Sequence, residues 1–274
     1  MEPMRTLLAI VLLAACGAQG QDAPHAYKRS VLDSIALPGV FGSTNGNLSA
    51  YEKGNTVSDN YFEQRAVLFS LWRNSLTVTP YLTAEFLLDS SGYNWNNKVV
   101  PGMGIRLNKR IRNGVVSAGV AYVYEDRFRN VENFKPTAGR TDYITQWFGW
   151  NEPTEKQHRF PGSTWGIIGH YSPVERGNLI ERGHIQQGFV IKRFNTKALV
   201  PYLEATFAHD SQRLNWENAA VLGAGVKAVV PAGAEYTEFG CGYMRETRWL
   251  QNRTESGLKF FVNFYYSWSL FARK

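Results

Sequence analysis

Between Pro80 and Gly104 apolar and polar side chains alternate, and from Pro201 to Gly225, 121 positions on, the same alternation returns. PYLTAEFLLDSSGYNWNNKVVPGMG lines up with PYLEATFAHDSQRLNWENAAVLGAG, and further along Gly119, Tyr122, Glu125 and Arg127 meet Gly240, Tyr243, Glu246 and Arg248. A period of two puts successive side chains on opposite faces of a strand. A duplicated set of such strands predicts a barrel closed on itself, with two-fold internal repetition.

The faces are clean. Leu76, Val78, Pro80, Leu82, Ala84 and Phe86 oppose Thr77, Thr79, Tyr81, Thr83, Glu85 and Asp89. Leu258, Phe260, Val262, Phe264, Tyr266, Trp268 and Leu270 oppose Lys259, Asn263, Tyr265, Ser267 and Ser269. Runs this long exceed the usual strand of a soluble sandwich, about five or six residues. That sandwich, with the apolar face inside, is the competing fold.

Short links near residues 73–74, 112–114, 195–196 and 231–233 alternate with longer polar ones near 53–60, 90–96, 127–140, 173–182, 211–215 and 250–254. Transmembrane barrels alternate short turns and long loops in this way. The expected fold is therefore an all-β, antiparallel up-and-down transmembrane barrel of about twelve strands. They lie near 43–52, 62–72, 75–89, 97–109, 115–127, 140–150, 163–172, 183–194, 197–210, 217–230, 235–249 and 256–271, in halves 43–150 and 163–271. An even count returns both ends of the chain to one side, the periplasm.

Residues 1–20 read as an export signal, with Arg5, an apolar core from Leu7 to Ala15 and the small-residue site Ala18-Gln19-Gly20. A second reading is a lipoprotein signal, since Leu13-Ala14-Ala15 precedes Cys16, which would carry the lipid anchor. Residues 21–42 form an N-terminal segment and 43–274 the barrel. The signal removes one Glu and one Arg, so the exported chain keeps its net charge of +7. Cys241 is then alone, which excludes an intrachain disulfide. No later apolar stretch is long enough for a transmembrane helix.

The amphipathic last strand resembles the C-terminal recognition signal of Gram-negative outer-membrane barrels, although Ala272-Arg273-Lys274 follows Phe271 where those chains usually end on an aromatic residue. The resemblance implies insertion by the barrel-assembly machinery and residence in the bacterial outer membrane, among lipid and lipopolysaccharide. The basic balance fits those anionic neighbours, or anionic solutes, better than nucleic acid.

With the apolar face to lipid, the polar face lines the lumen. The residues expected there are Glu85, Arg106, Glu125, Arg127, Glu204, Lys227, Glu246, Arg248 and Lys259, with Glu238. Tyr81 and Tyr202 stand beside strands rich in inward glycines, Gly102 and Gly104, Gly223 and Gly225, which suits a ring lying over a neighbour's glycine. Asp89 and Trp95, and again Asp210 and Trp216, fall at the outer rim, where Asp, Ser and Asn favour turns and Trp an aromatic girdle. The same rim chemistry suits a sugar. Trp147, Trp150, Trp165 and Trp268 are expected in a lower girdle.

Three functions follow: a small pore for hydrophilic solutes, anionic or saccharide; a non-conducting binding or structural barrel; and a lipid esterase. The esterase rests on His170 and Ser172, two apart on one strand face. They resemble in outline the His-x-Ser arrangement of outer-membrane phospholipases, with Pro173-Val174 in place of the usual Asn-Gly. The scattered histidines carry no metal-site spacing, and the sequence has no cofactor fingerprint.

Overall fold

The computed structural model describes residues 37–46, 54–71, 76–93, 96–128, 135–151, 159–169, 177–214, 217–232 and 235–270. Its strands are β1 (Leu37–Gly46), β2 (Val57–Arg65), β3 (Phe69–Leu71), β4 (Leu76–Asp89), β5 (Lys98–Ile111), β6 (Gly114–Arg127) and β7 (Thr137–Trp150). They continue as β8 (Gly162–Gly169), β9 (Ile180–Gly188), β10 (Lys192–Phe194), β11 (Lys197–Asp210), β12 (Ala219–Ala232), β13 (Glu235–Arg248) and β14 (Arg253–Leu270). Every pairing among them is antiparallel. The order runs β9-β11-β12-β13-β14-β1-β2-β4-β5-β6-β7-β8 and back to β9, so the sheet closes as a barrel of twelve staves.

Fourteen segments make twelve staves because two staves are interrupted. Arg65 pairs Tyr81 and Phe69 pairs Val78, so one extra residue on the β2–β3 side bulges opposite Pro80. On the other side of the barrel Gly188 pairs Tyr202 and Lys192 pairs Leu199, and the extra residue falls opposite Pro201. Proline has no N–H for a ladder and sits inside a sheet mainly at bulges. The free carbonyls are used: Ala66 donates its N–H to Pro80 O at 3.0 Å, and Phe189 donates to Pro201 O at 2.9 Å.

The apolar side chains face outward. Leu203 is 65 % exposed near the middle of β11, with Leu222, Ile144, Tyr243, Leu258 and Phe260 exposed on neighbouring staves, while Glu63, Glu125, Glu204, Glu238 and Glu246 are buried. A water-soluble sandwich has the opposite polarity, so this is a transmembrane barrel. The outer face of β1 and β2 is an exception. There Ser43 Oγ donates to Asn60 Oδ1 (2.6 Å), Asn45 Nδ2 to Ser43 Oγ (2.9 Å) and Asn60 Nδ2 to Ser58 Oγ (3.0 Å). Polar groups toward lipid are tolerable when they satisfy one another in this manner.

Several boundaries differ from expectation. The first strand begins at Leu37, six residues earlier than expected, and the second covers 57–65 and 69–71 where 62–72 was expected. Both ends of the barrel chain and the short turns at 112–113 and 195–196 lie at one end, and the links at 90–97, 211–218 and 249–252 at the other. The signal, Cys16 and residues 21–36 are outside the described residues, as are Trp95, Trp216, His170 and Ser172.

Candidate functional site: the barrel lumen

Each inward cation expected from the sequence is found beside a carboxylate. Arg106 on β5 reaches past β4 to Glu63 on β2, Nη1 donating to Oε2 at 2.9 Å and Nη2 to Oε1 at 2.5 Å. Its guanidinium also lies over the Tyr81 ring, 4.8 Å from the centroid. Tyr81 and Tyr143 meet through their hydroxyls beside it. Glu63 was not anticipated, because the expected register of the second strand gave it no special place.

The opposite wall carries a longer chain of bonds. Lys259 Nζ donates to Glu204 Oε1 (2.8 Å), Gln186 Nε2 to Glu204 Oε2 (3.2 Å), and Lys227 Nζ to both Gln186 Oε1 and Glu238 Oε1 (2.5 Å each). Asn263 Nδ2 donates to Glu238 Oε2 at 3.2 Å. His184 Nε2 lies 3.6 Å from Glu204 Oε2. Desolvated charges survive only when paired and hydrogen-bonded, and this network meets that condition.

Toward the long-loop end two further pairs occupy related positions in the two halves. Arg127 Nε donates to Glu125 Oε1 at 3.1 Å, with Lys98 Nζ 3.4 Å from Oε2 of the same carboxylate. Arg248 Nε donates to Glu246 Oε1 at 2.8 Å. Glu85 pairs in register with Tyr61, which fixes it on the inward face near the same end.

The tyrosine–glycine packing is present in both halves. A β-carbon on Gly104 would stand 2.5 Å from Tyr81 Oη, and one on Gly225 2.7 Å from Tyr202 Oη. Phe261, an inward aromatic on β14, packs edge-on to Tyr202 with ring centroids 6.1 Å apart. Its signal was available, since position 261 lies between Lys259 and Asn263 on the polar face.

The rim residues Asp89 and Asp210 tie their own loops. Asp89 Oδ1 accepts from Tyr93 N (3.0 Å) and Asn97 Nδ2 (3.1 Å), and Asp210 Oδ1 from Leu214 N (2.9 Å) and Asn218 Nδ2 (2.6 Å). A neighbouring loop joins each knot: Asn55 Oδ1 accepts from Ser91 N (3.1 Å), and Asn178 Oδ1 from Gln212 N (3.2 Å). Both aspartates are buried, and their bonds are those of loop-holding residues.

The expected lower girdle needs correction. Trp268 faces outward, stacked on Phe62 at 5.6 Å, with Nε1 donating to Gln64 Oε1 at 2.9 Å. Trp147 and Trp165 face inward instead. Trp147 has the parity of Tyr143 on β7, and Trp165 is its register partner on β8 and pairs in turn with His184 on β9. Both indoles remain open, at 47 % and 42 %. Both lie three residues from the short-turn end of their strands, β7 ending at Trp150 and β8 starting at Gly162. Among the described residues no group of His, Cys, Asp and Glu could hold a metal ion.

No family model and no curated protein matches the chain. Solved structures do. An outer membrane channel from Pseudomonas putida F1 is 12% identical over 90% of this chain and 100% of that one, with a TM-score of 0.46. The β domain of the Bordetella autotransporter BrkA is 12% identical over 85% and 99% (TM-score 0.39), and OmpT, an outer membrane protein of Vibrio cholerae in its trimer form, 8% over 86% and 99% (TM-score 0.34).

Proposed function

We propose that the chain is a bacterial outer-membrane pore of narrow bore for small hydrophilic solutes. The observation that carries this reading is the exposure of Trp147 and Trp165, which opens the lumen at the short-turn end, while buried inward side chains at mid-barrel, among them Tyr81, Tyr202 and Phe261, keep the bore narrow. Twelve strands fall between eight, whose side chains fill the interior, and sixteen, which enclose a wide channel. The short-turn end, with both ends of the barrel chain, is assigned to the periplasm, and the knotted loops to the outside, against lipopolysaccharide. The last strand would be the segment read by the assembly machinery.

Charge pairing shapes the selectivity. Arg106, Arg127, Lys227, Arg248 and Lys259 each stand beside a carboxylate, so their fields are largely dipolar and the pore should discriminate weakly between anions and cations. Single-channel recording in planar bilayers tests the proposal. Small, steady conductance steps with a reversal potential near zero in a salt gradient are expected. Absence of steps from correctly folded protein would favour a non-conducting binding or structural barrel.

A further inference from the structure

We propose that the lumen binds saccharide rings between two facing rows of side chains, an inference that rests on the pore reading and names its solute class. The first row is Trp147, Trp165 and His184, register partners on β7, β8 and β9. Trp165 and His184 stack with ring centroids 6.0 Å apart and planes 20° from parallel. The second row is Tyr265, Gly42 and Tyr61, register partners on β14, β1 and β2. Tyr265 is 40 % and Tyr61 37 % exposed.

The closed strand order puts five staves between β8 and β1 by either route, so the rows stand halfway round the barrel from one another. β7 is likewise opposite β14, and β9 opposite β2. Gly42, having no side chain, separates its two tyrosines, and a β-carbon there would stand 4.0 Å from the Tyr265 ring. Trp, Tyr and His thus line two facing walls, and the ion-pair networks border both: Tyr61 Oη donates to Glu63 Oε2 at 2.6 Å, and His184 Nε2 lies 3.6 Å from Glu204 Oε2.

Open indole faces in a wet lumen attract a flat or gently puckered ring whose surface is C–H. Beside the first row stand two hydroxyls, Ser163 in register with Gln186 and Thr145 on the same face of β7 as Trp147, and the Glu204 carboxylate, 3.6 Å from His184 and bonded to the Gln186 amide. His184 Nδ1 is buried and has no hydrogen-bond partner among the described residues. Hydroxyl-rich rings match that set. A nucleotide would also stack, but its phosphates would find cations already committed to carboxylates.

The test uses the full barrel in planar bilayers and in detergent, with maltotriose as the probe, sorbitol as an open-chain polyol and adenosine as a flat ring without saccharide character beyond its ribose. Maltotriose should interrupt the current and shift tryptophan emission, and sorbitol should do neither at equal mass concentration. Trp147→Ala and Trp165→Ala should each raise the half-blocking concentration about tenfold, the scale of losing one stacking partner. Trp165→Phe should lie between, and Trp268→Phe, outside the barrel, should leave it unchanged. Heat-modifiability in SDS confirms folding, and if an alanine variant does not fold the phenylalanine variants carry the test. Conductance with no block and no emission change overturns the saccharide site and leaves the pore standing. Emission change without any conductance overturns the pore and leaves binding. Adenosine blocking better than maltotriose, or blocking unaffected by the tryptophan changes, overturns the inference.

Discussion

The Glu63 carboxylate takes both terminal nitrogens of Arg106 from across the intervening strand β4, with Glu63 only 2 % exposed. Removing Arg106 strips the buried Glu63 of its two-bond partner and leaves it the Tyr61 hydroxyl at 2.6 Å and Arg65 Nε at 3.6 Å. Arg106→Ala is therefore expected to destabilise the barrel by about 3–5 kcal/mol. Glu63→Gln with Arg106→Gln should recover much of that loss, since neither charge is then stranded. Urea unfolding in lipid vesicles measures both, and a single variant no less stable than the double one would contradict the account.

Arg127 and Arg248 each bond a carboxylate two residues back on the same strand. Arg127→Ala and Arg248→Ala should each leave a glutamate near the long-loop end with one cation fewer and turn the proposed pore toward cations, by similar amounts, with the double variant turning further. The readout is the reversal potential in a salt gradient. Unequal single effects would separate the two halves functionally.

Asn97 and Asn218 each give their amide to an aspartate and to a backbone carbonyl, Tyr93 O and Leu214 O, both at 2.7 Å. Asn97→Ala and Asn218→Ala leave buried acceptors unmet, so each should cost about 1–3 kcal/mol. Protease cleavage within 90–97 or 211–218 should rise in the matching variant only.

Leu203 points to lipid near the middle of β11, while Glu204 beside it faces the lumen. Leu203→Arg should cost about 2–4 kcal/mol, the penalty for arginine at the midplane of a bilayer. The same change at Leu214, in the loop beyond β11, should cost much less. A Leu203→Arg barrel of undiminished stability in vesicles would place β11 outside the membrane.

Gly104 lies beneath Tyr81, and a β-carbon there would also come within 2.6 Å of Val120 O. Gly104→Ala must push either a ring or a backbone, at about 1–3 kcal/mol. Because Tyr81 touches Tyr143 and Arg106, the Ala variant should weaken the Glu63–Arg106 pair as well, and a cycle with Arg106→Ala should be non-additive.

The outward and inward faces were legible because alternation is a property of neighbours in the chain and needs no tertiary knowledge. Alternation alone sets Arg106, Lys227, Lys259 and the two Glu–Arg pairs apart from the apolar face. Their partners were less accessible: Glu63 reaches Arg106 only through the order β2, β4, β5, and that depends on register. The two bulges had a sequence signal in Pro80 and Pro201, each a mid-strand residue with no N–H to give. The indoles of Trp147 and Trp165 were misplaced because tryptophan suggests a girdle, whereas parity with Tyr143 puts both in the lumen.

The seam between β1 and β14 joins Leu37 to Leu270 and Gly46 to Phe261. Until it forms, β1 and β14 each present a raw edge, and no subset of staves can hide its edges alone. Neither half of the chain is then a self-sufficient folding unit, however alike their sequences. Closure requires the last strand, so a chain cut before β14 is expected to keep both raw edges open to pairing with other chains.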